Sequence, residues 1–85
     1  MNASKAEQRV LHVLARGGAI SLIRDDDGKL LDVECWTREG WLLTPFDTDA
    51  FKRLRSKRFI ASVNGKPYRI TRLGLLAVRS RLDNR

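Results

Sequence analysis

His12 and Cys35 are the two side chains of a type suited to nucleophilic chemistry, and each residue type occurs once in the sequence. A thiol nucleophile needs a thiolate with a base in hydrogen-bond reach. The local patterns separate the two. His12 falls with Lys5, Arg9 and Arg16 on the polar side of a helical stretch, whereas Cys35 alternates with Leu31 and Val33 on the apolar side of an extended one. A surface histidine and a buried thiol are expected. No Ser–His–Asp set or Gly-x-Ser-x-Gly turn is present, and Gly17-Gly18 lacks the spacing of a phosphate loop. Asp25-Asp26-Asp27-Gly28 concentrates carboxylates, but a calcium loop needs a bidentate Glu at its twelfth position, and counting from Asp25 that position is Trp36. A solvated hairpin turn is the simpler reading. One Cys and one His cannot close a four-ligand zinc site. No enzyme, cofactor, metal or small-molecule ligand is expected.

What remains is charge. Of the 85 residues, 1–50 hold six Lys/Arg against nine acids, a net −3, while 51–85 hold eleven against Asp83 alone, a net +10. From Phe51 to Leu82 there is no carboxylate. Such asymmetry points to an anionic partner for the basic half. The candidate binding residues are Lys52, Arg53, Arg55, Lys57 and Arg58 on and just after a helix, with Lys66 and Arg69 on or near a hairpin. Three readings stay open for them. One is double-stranded DNA, held through phosphates with Arg53 or Arg55 available for guanine edges. Another is docking on a protein, either on an acidic surface or on a DNA-handling enzyme near its DNA channel. The third is a merely solubilising surface. Trp36 is a separate candidate. It alternates with Leu30, Asp32 and Glu34, the outward face of its strand, where it could anchor a partner protein or else pack under the last helix. An RNA-binding sheet would need paired aromatics for base stacking, which this pattern lacks.

The elements that must position these groups follow from capping and periodicity. Ser4-Lys5-Ala6-Glu7 is a capping box, and a helix runs from about residue 5 to Arg16 with Ala6, Val10, Leu11, Val13 and Leu14 inward, ended by Gly17-Gly18. A hairpin follows: Ile20 and Leu22 lead to the Asp25–Gly28 turn, and Leu31, Val33 and Cys35 return on the buried side. Trp41-Leu42-Leu43 makes a third strand. Thr44-Pro45 offers a helix start with Asp47 as a rival cap, and that helix runs to about Lys57, burying Ala50, Phe51 and Leu54. Phe59, Ile60 and Val63 enter a second hairpin through Asn64-Gly65, and Tyr68-Arg69-Ile70 returns. Thr71 caps a last helix in which Leu73, Leu76 and Val78 mix with Arg72, Arg79 and Arg81, and the tail Asp83-Asn84-Arg85 frays. The expected fold is α+β: one small winged-helix-like domain over residues 1–85, with about three helices and two β-hairpins. A chain this short buries only roughly 60–65% of its unfolded surface, which excludes large catalytic scaffolds. The lone cysteine fits a reducing compartment, and the longest apolar run, Leu73 to Val78, is far short of a membrane span. A cytoplasmic location is expected.

Phe51 to Gly74 resembles the end of a winged-helix recognition helix entering its wing, and Tyr68-Arg69-Ile70-Thr71-Arg72-Leu73-Gly74 is similar to the Tyr-x-Leu-Thr-x-x-Gly pattern that follows the wing in many bacterial regulators. A hairpin and a third strand occupy the stretch where a helix-turn-helix reader has its first helix. A more specific resemblance covers essentially the whole chain. Gln8-Arg9, Leu11-His12-Val13-Leu14-Ala15, Gly17-Gly18, Val33-Glu34-Cys35, Arg38-Glu39-Gly40, Ser62-Val63-Asn64-Gly65, Pro67-Tyr68-Arg69-Ile70 and Asp83-Asn84-Arg85 together resemble the YjhX-type toxin family; Pro45 and Phe46 stand in a stretch left unmatched. The resemblance implies the toxin half of a toxin–antitoxin pair, a cognate antitoxin, and DNA topoisomerase I as the inhibited target. It carries no residue roles. The expected function is a non-catalytic binding protein inhibiting topoisomerase I through protein contact, with contact to double-stranded DNA left open; the alternative is a winged-helix DNA-binding transcriptional regulator.

Overall fold

Ser4 starts the first helix by closing both halves of its capping box: its hydroxyl accepts from the Glu7 N–H at 3.1 Å, and its own N–H donates to Glu7 Oε1 at 2.7 Å. The computed structural model describes residues 3–83, with side chains described through Val78. Helix α1 (Lys5–Ala15) ends where the Gly17 and Gly18 N–H groups return to the Leu14 and Val13 carbonyls. Its buried face is Glu7, Gln8, Val10, Leu11 and Leu14. The expected face was centred correctly on Val10, Leu11 and Leu14, but Ala6 is exposed and Val13 only half-buried. A charged residue takes the inward position in the first turn because its partner comes from another helix, which hydrophobic periodicity does not register.

Strands β1 (Ala19–Arg24), β2 (Leu30–Trp36) and β3 (Leu42–Leu43) form an antiparallel sheet in that order. Ile20 pairs with Cys35 and Leu22 with Val33, while Cys35 also faces Leu43, so these five side chains share the core side. Leu31, expected inside, is exposed: the register shifts at Ile23/Arg24, and the hairpin tip has already left the core. Asp25 closes that tip, its Oδ1 accepting from the Asp27 and Lys29 N–H groups, each at 2.9 Å.

Helix α2 (Thr48–Ser56) is capped by Asp47, whose Oδ1 accepts from the Ala50 N–H at 2.9 Å, so the rival cap prevails and Thr44-Pro45 lies outside the helix. It buries Phe51 and Leu54 fully. Its exit is a Schellman turn, with Phe59 N–H donating to Leu54 O at 3.1 Å and Arg58 N–H to Arg55 O at 3.0 Å. Strands β4 (Ile60–Ala61) and β5 (Arg69–Ile70) pair as a second sheet around the Asn64-Gly65 turn, both of whose residues have positive φ. Val63, expected in the strand, stands exposed in that turn.

Helix α3 (Arg72–Asp83) begins at Thr71, whose hydroxyl accepts from the Gly74 N–H and donates to the Arg58 carbonyl. Gly74, Ala77 and Val78 face inward, whereas Leu73 and Leu76 are exposed. Gly74 is required there by space: a Cβ would lie 2.4 Å from the Phe59 carbonyl oxygen and 2.7 Å from Ile70 Cγ1. The side chains of Arg79 and Arg81, and the tail residues Asn84 and Arg85, lie outside the described part. The core gathers α1, α2, α3 and the inner sheet face around Leu11, Ile20, Cys35, Phe51, Leu54 and Phe59, with Phe51 meeting Tyr68 edge-on at 5.0 Å. Reciprocal backbone bonds between Ile20 and Tyr68, at 2.9 and 2.8 Å, tie the two sheets together.

Candidate binding site on the basic helix and hairpin

The cations singled out in the sequence divide into three groups. Lys52, Arg55 and Arg58 are exposed on α2 and its exit. The Arg55 guanidinium lies 5.2 Å from the centre of the buried Phe51 ring, which orients it by a cation–π contact. Arg58 occupies the left-handed position of the Schellman turn, at φ 62°, where glycine is usual.

Lys57 and Arg53 form the second group, turned toward Glu7. Lys57 Nζ donates to Glu7 Oε1 at 2.7 Å, and Arg53 Nε stands 3.7 Å from Oε2. Glu7 itself is only 1% exposed, while the Lys57 and Arg53 side chains keep 28% and 53% of their surface. Burial pushes the Glu7 carboxyl up, but the Lys57 hydrogen bond, the bonds to Ser4 and the Lys57 charge outweigh it, holding the carboxyl below its ordinary value. The α1–α2 junction therefore contains an ionised carboxylate matched by at least one ammonium group. Beside it, the Gln8 amide donates to the Ala77 carbonyl at 3.1 Å, fastening α1 to α3. Glu7 is the residue that sequence reading left in a purely local role as a capping-box partner. The signal was present, since Glu7, Val10, Leu11 and Leu14 fall on one helical face.

The third group belongs to the second hairpin. Lys66 is exposed beside the Asn64-Gly65 turn, whereas Arg69 reaches away from it to the Gly17 carbonyl at 3.3 Å, at the C-terminal end of α1. The seven cations thus do not form one even face. Lys52, Arg55 and Arg58 are presented outward from α2, Lys57 and Arg53 are shared with the interior, and Lys66 and Arg69 come from a separate sheet.

The remaining candidates are placed as follows. Trp36 lies on the outer sheet face opposite Leu42 and Ala19 and is half-buried; Trp41, at the sheet margin, is the exposed tryptophan at 73%. Cys35 is fully buried, and burial pushes its thiol up to about 11, only slightly offset by the Arg9 charge. A thiol of that kind supplies little thiolate near neutral pH. Among the described residues, no group of three His, Cys, Asp or Glu side chains could hold a metal ion, and no helix is long and apolar enough to cross a membrane.

A family model described as "Putative toxin of bacterial toxin-antitoxin pair", the YjhX toxin family, matches residues 1–85. The chain belongs to that family. Its relatives include a UPF0386 protein of Rhodospirillum centenum, 61% identical over 85 residues that cover all of this chain and 99% of the relative. A UPF0386 protein of Parvibaculum lavamentivorans is 60% identical with both chains fully covered. One from Caulobacter vibrioides is 55% identical, covering all of this chain and 93% of its own. No solved structure matches. The YjhX match spans Pro45 and Phe46, the stretch the resemblance left unmatched; here Phe46 packs against the core, and the Pro45 carbonyl accepts from Arg9 Nη2 at 2.8 Å. Neither the family description nor the relatives' names indicate a catalytic function.

Proposed function

We propose that this chain is the toxin of a toxin–antitoxin pair and acts without catalysis, binding DNA topoisomerase I in the cytoplasm through the cations of α2 and the β4–β5 hairpin. Family membership supports the toxin role, and the target is the one the sequence resemblance implies. The observation that carries the binding mode is the state of the basic helix: its neighbouring carboxylate, Glu7, is buried against Lys57, so Lys52, Arg55 and Arg58 face solvent with no acid paired to them among the described residues. Exposed, unneutralised cations on a rigid helix favour fast capture of an anionic surface. An acidic patch beside an enzyme's DNA channel is one such surface, and occupation of it would occlude or lock the enzyme. The one-domain, winged-helix-like character read from the sequence belongs to this proposal, with α2 as the presented helix and the second hairpin as its wing.

The test is relaxation of supercoiled plasmid by topoisomerase I with the protein in molar excess. Inhibition that is lost on Lys52→Glu plus Arg55→Glu, in a protein that keeps its fold by circular dichroism, is the expected outcome. Unchanged relaxation at large excess sinks the reading.

Exposure of Arg53 and Arg55 on the same helix supports a second reading, a DNA-binding transcriptional regulator contacting duplex phosphates. That mode requires an affinity whose logarithm falls with log salt by about 0.9 per phosphate contacted. Absence of duplex binding at low salt dismisses it. Capture of topoisomerase I from lysate that survives nuclease treatment separates the two.

A further inference from the structure

We infer that the open edge of β1 is a docking groove for an extended, acidic peptide segment of a partner protein, which adds to the first sheet as an extra strand beside Leu22. The groove lies apart from the α2 surface, between β1 and the second hairpin, with a volume of about 380 Å³ and with Ser21, Leu22, Arg24, Ser62, Lys66 and Pro67 among its lining. That size is near the lower end of ligand sites, enough for a short stretch of chain.

The backbone explains why the groove exists and what it lacks. Ile20 directs its N–H and C=O away from β2, where both bond to Tyr68. In a strand the groups two residues on point the same way, so Leu22 also aims its N–H and C=O out of the sheet. In an unbroken antiparallel ladder their partner would be Lys66, two residues before Tyr68. The chain cannot supply it. Lys66 has both backbone groups engaged inside its own turn, its N–H donating to Val63 O at 3.1 Å and its carbonyl accepting from the Ser62 hydroxyl. A ladder begun by Tyr68 is therefore cut after one rung, leaving a strand-wide slot at an edge whose Leu22 groups have no backbone partner among the described residues. Unpaired edges of this sort are templates for strand addition.

The occupant's charge follows from the lining. Arg24 and Lys66 are its charged members, and no carboxylate lines the slot. Asp25 is tied into the hairpin tip by the Asp27 and Lys29 N–H groups, but Asp26 and Asp27 stand exposed there. A segment carrying acids opposite Lys66 and Arg24, whose Nη1 also donates to the Gly28 carbonyl at 2.8 Å, and uncharged beyond Arg24 toward Asp26 and Asp27, fits this field.

The experiment uses the full chain, labelled for amide hydrogen exchange by NMR, with a capped synthetic peptide of about six residues alternating Glu and Val. Two controls accompany it: the Lys–Val counterpart and a Glu–Val peptide with a central proline. The inference expects the Glu–Val peptide to slow exchange of the Leu22 amide about tenfold or more at millimolar peptide, with both controls inactive. Arg24→Glu, which lies outside α2, should weaken that protection about tenfold while the far-UV spectrum is unchanged. Unaltered Leu22 exchange overturns the groove. Equal protection by the Glu–Val and Lys–Val peptides overturns the acidic occupant. Protection that appears without peptide and grows with protein concentration assigns the edge to a second copy of the chain, which also overturns it. Lys66 belongs to both surfaces, but relaxation is tested at Lys52 and Arg55 and the groove at Leu22 and Arg24, so failure here leaves that reading standing, and the converse holds.

Discussion

Removing Lys57 and removing the charge of Glu7 should have unequal costs, although both delete the same contact. Lys57→Ala leaves a carboxylate that is 1% exposed with Arg53 Nε at 3.7 Å as its nearest compensating charge. Breaking a buried pair from one side costs about 3–5 kcal/mol, and the surviving Arg53 and Ser4 contacts bring this toward about 2–3. Glu7→Gln keeps the shape and can still accept from the Ser4 N–H, while Lys57, with 28% of its side chain exposed, turns to water. Its cost is the lost charged hydrogen bond, about 1–1.5 kcal/mol. Once Glu7 is Gln, removing Lys57 adds little, so the double-mutant coupling is nearly the full cost of Lys57→Ala, about 2–3 kcal/mol. Urea unfolding followed by circular dichroism measures all four corners. For a chain of this size Lys57→Ala lowers Tm by about 10–20 °C. Equal costs for the two single variants, or a coupling below about 0.5 kcal/mol, refutes the buried-carboxylate account.

The same pair sets an acid limit. The folded Glu7 carboxyl is held below its ordinary value, so its stabilisation is fully present above the unfolded carboxylate value of about 4.3 and is lost as pH falls through the lowered folded value. The stability gap between wild type and Glu7→Gln should therefore be constant near neutral pH and close as the solution is taken below about pH 4. A gap that widens on acidification contradicts the assignment.

Other predictions concern single positions. Arg58→Gly relieves the φ 62° conformation and should stabilise the fold by about 0.5–1 kcal/mol in chemical denaturation while weakening partner binding; a loss of stability counts against the Schellman reading. Gly74→Ala would ordinarily strengthen a helix, but with a Cβ 2.4 Å from the Phe59 carbonyl oxygen it should destabilise by about 1–3 kcal/mol. Cys35, buried with its thiol raised to about 11, should resist a thiol-labelling reagent at mildly alkaline pH until the protein is unfolded, and rapid native labelling would show that the core opens.

Local rules made most of the fold legible. The capping box of α1, the Asn64-Gly65 turn and the Thr71 cap of α3 are short-range chemistry and stand where the sequence places them. The departures share one cause, that burial is decided by what arrives from elsewhere in the chain. Ala6 and Leu31 fit their periodic patterns, yet no element covers them, while Glu7 is inward because α2 brings Lys57. In α3 the mixed pattern of leucines and arginines left the inward face open; Gly74 takes it because the Phe59 carbonyl and Ile70 sit so close to that turn that only a glycine fits, and Leu73 and Leu76 are exposed. The cations were legible as a group, but not their division, since whether Lys57 and Arg69 face outward depends on Glu7 and on the end of α1.

That division changes the meaning of the charge asymmetry. An acidic first half and a basic second half with no carboxylate from Phe51 to Leu82 need not both serve a partner, because they also have to fold against one another. Glu7, from the acidic half, is the carboxylate against which the basic helix packs, and it engages Lys57 closely and Arg53 more loosely. Arg69 is directed to the carbonyl end of α1 in the same way. Part of the positive charge thus joins the halves, and the share left for the proposed recognition is smaller and better defined: Lys52, Arg55 and Arg58 on the helix, with Lys66 on the hairpin. Arg58 is the most informative of these. Glycine would suit its backbone better, so an arginine there works against stability, and the proposed function gives its exposed side chain a role that would offset that cost.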